Sequence, residues 1–102
     1  MLDDTLTALA DPTRRAILAR LAQGEARVTE IAQPFPISLN SVSKHIRMLE
    51  RAGLVARRIE GREHFLRFEP APLYEAQAWI DGQRELWSWR LRRLDDVMRE
   101  PT

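Results

Sequence analysis

The fold turns on one stretch, Ser38-Leu39-Asn40-Ser41-Val42-Ser43-Lys44-His45-Ile46-Arg47-Met48-Leu49-Glu50-Arg51-Ala52-Gly53-Leu54-Val55. Ser38 is a natural helix N-cap and Gly53 a natural residue past a helix end, so the segment between them reads as one helix to about Ala52. Val42, Ile46 and Leu49 recur at i, i+4 and i+7 and form its core stripe. With Val42 at zero on a 100° wheel, Asn40, Lys44, Arg47 and Arg51 fall within about 40° of the opposite pole, with Ser43 beside them. His45 lies about 60° off the core stripe, the place of a packed imidazole with one hydrogen bond rather than an outward reader.

Upstream, Leu2, Leu6 and Leu9 share the spacing of a short first helix with an apolar stripe. Asp11-Pro12 caps a second helix and places proline where its missing N–H costs nothing; Ile17, Leu18 and Leu21 are its buried side and Gly24 its end. Thr29 reads as the cap of a brief third helix, Glu30 to Gln33, stopped by Pro34 and Pro36. Downstream, Leu54 to Ile59 and His64 to Phe68 are β-prone runs joined by Glu60-Gly61-Arg62, a two-stranded hairpin with a basic tip. A long helical pattern follows from about Pro72 to Arg99. On its wheel Leu73, Ile80, Trp87, Leu91, Leu94 and Met98 lie within about 60° of one line, while Trp79, Leu86 and Trp89 fall elsewhere. The expected fold is mainly α with a small β-hairpin, one domain over residues 1–102. A helix-turn-helix occupies about 29–52, a wing about 54–68 and a terminal helix about 72–99.

Composition narrows the functional classes. At 102 residues, 44% hydrophobic and 30% charged, the chain has an ordinary globular balance. No apolar run approaches the roughly 18 residues a membrane helix needs, and the acidic start Met1-Leu2-Asp3-Asp4-Thr5 shows no leader-type apolar segment, so the expected compartment is the cytoplasm. With no cysteine and only His45 and His64, no metal site and no cofactor is expected. Neither a glycine-rich phosphate loop nor a nucleophile elbow is present, so an enzyme is not expected.

The net charge of +1 conceals an uneven distribution. From Ile37 to Phe68 seven basic residues face three acidic ones, a surplus of four, while the remainder holds nine basic and twelve acidic residues. A basic stretch of this kind suits a polyanion. The major groove, about 12 Å wide, admits one helix whose short polar side chains near its N-terminus reach base edges. Asn40, Ser41, Ser43 and Lys44 are the candidates there, with Leu39 beside them, while Ser38 is first a cap and only secondarily a phosphate contact. Arg47, Arg51, Arg57, Arg58 and Arg62, with Arg67 on the same flank, are the candidate phosphate contacts. The expected partner is double-stranded DNA.

Leu9-Ala10-Asp11-Pro12-Thr13-Arg14-Arg15-Ala16-Ile17-Leu18, the block beginning at Ile37, and Glu60-Gly61-Arg62 together resemble the ArsR (ArsR/SmtB-type) winged helix-turn-helix transcriptional regulators, from Leu6 to about Met98. The resemblance implies a homodimeric repressor of promoter operators. Its recognition helix would be Ser38–Arg51, its wing Arg57–Arg67, and its dimer interface the first and last helices. That interface would comprise Leu2, Leu6, Leu9, Leu73, Ile80, Trp87, Leu91, Leu94 and Met98. Metal-sensing members carry cysteines in the third helix or Asp/His/Glu sets in the terminal helix. The third helix here reads Val28-Thr29-Glu30-Ile31-Ala32-Gln33 and the terminal helix has no histidine, so the resemblance points to a cysteine-free branch without a metal inducer. Leu39 stands where the family often has glutamine, exchanging an amide contact for an apolar one to a thymine methyl.

Several features have blander readings. Trp87 is expected to fill the dimer seam while Trp79 and Trp89 pack the terminal helix back onto the body, rather than line a pocket for an aromatic effector. Asp81, Glu85, Asp95 and Asp96 sit among Arg84, Arg90, Arg92 and Arg93, so ion pairs are simpler than a carboxylate metal site. His64 falls on the second wing strand, within reach of a phosphate if protonated. Two alternatives to an operator-binding repressor stay open: a winged-helix module that binds a protein and has no operator, and a repressor released by a small apolar effector.

Overall fold

A computed structural model describes residues 1–99; the last three residues of the span expected to form one domain, 100–102, lie outside the described residues. The element order is α1 (Leu2–Leu9), α2 (Pro12–Leu21), β1 (Ala26–Arg27), α3 (Val28–Ala32), α4 (Leu39–Arg51), β2 (Val55–Glu60), β3 (Glu63–Phe68) and α5 (Ala71–Arg99). No helix among the described residues is long and apolar enough to cross a membrane.

The core gathers around α4. Val42, Ile46 and Leu49 are fully buried, with Ile17, Ile31, Leu54 and Leu66 closing over them from α2, α3, the turn after α4 and β3. Local chemistry sets the ends of α4. The Ser38 Oγ accepts from the Ser41 backbone N–H at 3.1 Å, filling one of the orphan donors of the first turn. At the other end Gly53 takes φ +76, and the Leu54 N–H reaches back to the Leu49 carbonyl at 3.0 Å. This left-handed closure turns the chain directly into β2.

Three expectations need correction. The expected hairpin is present as β2 and β3, but among the described residues a third strand joins it, in the order β1-β3-β2, with Ala26 opposite Leu66 and Arg27 opposite Phe65. A two-residue strand carries no periodicity, and only the burial of Ala26 against the sheet gives it a reason to form. Secondly, Arg27 rather than Thr29 occupies the N-cap of α3. Pairing with Phe65 keeps Arg27 extended, and the Glu30 carboxylate accepts from its backbone N–H at 3.2 Å, closing the helix start from the opposite direction.

The third correction concerns the tryptophans. Trp79 and Trp89 do not return α5 to the body; each remains half exposed, at 50% and 49%. Helix α5 packs on α1 near its beginning, where Ala76 is buried. From Arg84 to Arg99 every residue is exposed. On α1 the buried residues are Thr5 and Ala8, and Leu6 is exposed. Exposed ion pairs join Arg84 to Asp81 at 3.9 Å and Arg99 to Asp95 at 3.2 Å.

Candidate nucleic-acid interface

With Val42, Ile46 and Leu49 committed to the core, α4 turns its other side outward. Asn40, Lys44, Arg47 and Arg51 are exposed, Leu39 is exposed at its start, and Ser41 and Ser43 are half-buried at the edges. The structure therefore brings the outward residues of the recognition segment onto one continuous surface. Ser38 stands at its N-terminal corner, its hydroxyl 3.0 Å from that of Ser41. Arg51 closes the other end, beside Asp4 and Thr7 of α1.

The cations divide into two sets. Among the described residues Lys44, Arg47, Arg51 and Arg62 take part in no ion pair. The strand arginines are engaged. Arg57 forks onto Glu50, at 2.7 and 3.2 Å, and also reaches His64 Nδ1 at 2.8 Å. Arg58 pairs with Glu25 and, at 3.0 Å, with Glu60, and its guanidinium lies 4.4 Å from the Phe65 ring centre. The Glu25 hydrogen bond holds the Arg58 pKa above its usual range, with Glu60 adding to it. Arg67 is held by Glu69 at 2.6 Å. Helix α4 and the wing tip thus carry cations with no ion-pair partner among the described residues, and the body of the wing carries cations already neutralised. His64 is half-buried, with its Nδ1 turned to Arg57.

Two residues outside the sequence-derived set shape this surface. Arg14 is 8% exposed, and its guanidinium donates to the carbonyls of Ala8 at 2.7 Å and Thr7 at 2.9 Å in the last turn of α1, the latter also accepting from the Ala10 N–H at 3.2 Å. The same group lies 3.2 Å from His45 Nδ1 and 3.4 Å from Met48 Sδ, both on α4. His45 is therefore a packed imidazole accepting one hydrogen bond, with the Asp11 carboxylate 3.8 Å away. Arg14 occupies a position on the Ile17–Leu18–Leu21 stripe, and a basic residue on a core stripe was the available signal. Glu50 was the other omission, because its role appears only once β2 lies beside α4. Among the described residues no three His, Asp or Glu side chains cluster so as to hold a metal ion.

The comparisons with known proteins agree with this geometry. A family model described as a helix-turn-helix domain matches residues 9–58. The HTH-type transcriptional regulator Rv2034 of Mycobacterium tuberculosis is 39% identical over 79 residues, 78% of this chain and 74% of that protein. The transcriptional repressor SdpR of Bacillus subtilis is 29% identical over 79 residues, 78% of this chain and 88% of that protein. Among solved structures, the ArsR family transcriptional regulator RHA00566 superposes with a TM-score of 0.82 at 44% identity, covering 85% of this chain and 96% of that one. These relatives are transcription regulators, a non-enzymatic class. With its helix-turn-helix carrying an outward face of unpaired cations and a wing beside it, the chain belongs to the ArsR family of winged helix-turn-helix transcriptional regulators and is a cysteine-free member of it.

Proposed function

We propose that the protein acts as a homodimeric repressor on a near-palindromic promoter operator, each copy placing α4 in one of two major grooves about 10 bp apart or a multiple of that. The observation that carries this reading is the sorting of cations: Lys44, Arg47, Arg51 and Arg62 are left unpaired while the neighbouring strand arginines are neutralised. A buried or paired guanidinium has little to offer a phosphate, whereas an exposed unpaired one releases counterions on contact. In this reading Leu39, Asn40, Ser41, Ser43 and Lys44 meet base edges, and Ser38, Arg47, Arg51 and Arg62 meet the flanking phosphates.

The dimer follows from the apolar line on α5. Ile80, Trp87, Leu91, Leu94 and Met98 are 45–77% exposed in the single chain. An uncovered stripe of this size on a helix is the mark of a helix–helix interface. Leu6 is exposed on α1, whereas Leu9 and Leu73 pack against the chain's own core; in this reading they and Leu2 border the seam where α1 meets the start of α5.

The test is fluorescence anisotropy of the purified protein on duplex DNA from immediately upstream of its own gene, beside a scrambled duplex, across a salt series and with excess EDTA. The expected result is a preference of about a thousandfold for the promoter duplex, undiminished by EDTA. Equal, weak binding to both duplexes, followed by a random-pool selection that enriches no sequence, would overturn the operator reading in favour of a protein-binding module.

A further inference from the structure

Arg57 lies in the basic stretch and on the wing, where a phosphate contact is the natural expectation. Its surroundings give it a different task. Two edges of its guanidinium are taken: Nε and Nη2 donate to the Glu50 carboxylate at 3.2 and 2.7 Å, and Nη1 donates to His64 Nδ1 at 2.8 Å. Glu50 belongs to the last turn of α4, Arg57 to β2 and His64 to β3. The Glu50 and Arg57 side chains are 27% and 25% exposed, sheltered enough for a forked pair to hold one geometry. Arg57 shares a sheet face with Leu66, its cross-strand partner, and Leu66 is fully buried in the core. That face turns towards α4, and at Arg57 its edge opens onto a shallow hollow shared with Arg62 and His64.

We propose that Arg57 is a positioning residue: through Glu50 and His64 it fixes the wing against the recognition helix, and it governs operator affinity without touching DNA. The proposal rests on the operator-binding reading above. Its logic is geometric. A helix in the major groove and a wing on the flanking backbone bind together only if their relative placement is set beforehand, and a loose wing loses that advantage on every encounter. Beyond the hydrophobic contacts under the sheet, this triad is the polar tie between the last turn of α4 and both wing strands.

The two roles predict opposite signs for one substitution. Glu50→Gln removes a negative charge from the DNA-facing third of the chain and releases Arg57. If Arg57 or its neighbours acted simply as phosphate cations, binding to any duplex would tighten. If Arg57 positions the wing, affinity for the preferred duplex falls, by about five- to tenfold. The probe is the duplex that the wild-type protein itself selects from a random pool, with a scrambled duplex beside it. Arg57→Lys, which keeps the charge and loses the fork, is expected to fall with Glu50→Gln and to leave the salt slope unchanged. Arg62→Ala, the loss of a phosphate contact, is expected to lower that slope by about one. The exchange Glu50→Arg with Arg57→Glu restores a pair of the same charge and is expected to recover part of the affinity.

A second arm needs no DNA. In the free protein, amide exchange along Val55–Phe68 is expected to quicken in Glu50→Gln and Arg57→Lys while the core amides of α2 and α4 keep their protection. Glu50→Gln binding as tightly as wild type or tighter, or wing exchange unchanged in both variants, overturns the positioning role. Wild-type protein that selects no sequence overturns the operator reading instead, and the exchange arm then decides alone whether the tie holds the wing.

Discussion

The body of the molecule and the outer half of α5 use the same apolar residue types and do opposite things with them. In the body, leucine, isoleucine and valine at helical spacing are buried to the last atom: Ile17, Val42, Ile46 and Leu49 have no exposure. On α5, the same spacing leaves Trp87 and Leu91 at 60%. Periodicity therefore says that a face will be covered but not by what. The body closes over its own stripe because α2, α3 and the sheet surround α4. The outer part of α5 has no such neighbours among the described residues, so its stripe stays open, and the homodimer proposed above would cover it.

That contrast can be broken by experiment. Removing the outward cations, Lys44→Ala with Arg47→Ala, is expected to weaken binding to the preferred duplex by about a thousandfold and lower the salt slope by about two while sedimentation still shows a dimer. Unchanged binding would move the interface away from α4. In the core, Leu49→Ala is expected to cost about 3 kcal/mol in urea unfolding at fixed protein concentration, because the cavity it leaves is enclosed on all sides. A loss below about 1 kcal/mol would mean that the core around α4 is not close-packed. On α5, Trp87→Glu or Leu94→Glu is expected to weaken association by about thirtyfold or more and to make the melting temperature independent of protein concentration. A persistent dimer would place the seam elsewhere.

The smallest effect concerns acid. The Arg14 backbone N–H donates to the Asp11 carboxylate at 3.1 Å and holds its pKa below the ordinary carboxylate value, helped by His45 and Arg14. The cap's contribution is complete above the unfolded carboxylate pKa and is lost as pH falls through the lowered folded one. Asp11→Asn keeps an acceptor that does not titrate, and is expected to flatten the acid limb of the thermal stability profile. A profile identical to wild type would remove Asp11 titration from that limb.

Much of this was readable from residues alone, where the information is local. The cap at Ser38, the stop at Gly53 and the core stripe of α4 depend on neighbours within one or two turns. So does Gly61, which takes φ +59 in the wing turn. What escaped depends on partners distant in sequence. Strand β1 exists because Ala26 finds Leu66, forty residues on. Thr29 has the chemistry of a cap, but the start of α3 is decided by the sheet that holds Arg27. Arg57 carries the charge of a DNA contact, and only the approach of β2 to α4 turns it onto Glu50. The size of Trp79 and Trp89 and their place off the apolar line point to the body, yet the point at which α5 leaves the body is set by Ala76 and α1.

The packing of α1 on α5 has a consequence for synthesis. Some sixty residues separate the end of α1 from the start of α5, and at ribosomal rates of about 5–20 residues per second α1 waits roughly 3 to 12 s for that neighbour. Helices α2 to α4 and the sheet contain most of the core, so they can close during the interval. Helix α1 is meanwhile held from one side, by α2 and α4 and by the Arg14 guanidinium on its last carbonyls. The flank of α1 that α5 covers stays open to water until α5 arrives, so in a nascent chain it is the last part of the body to be protected from chaperones and from other unfinished chains.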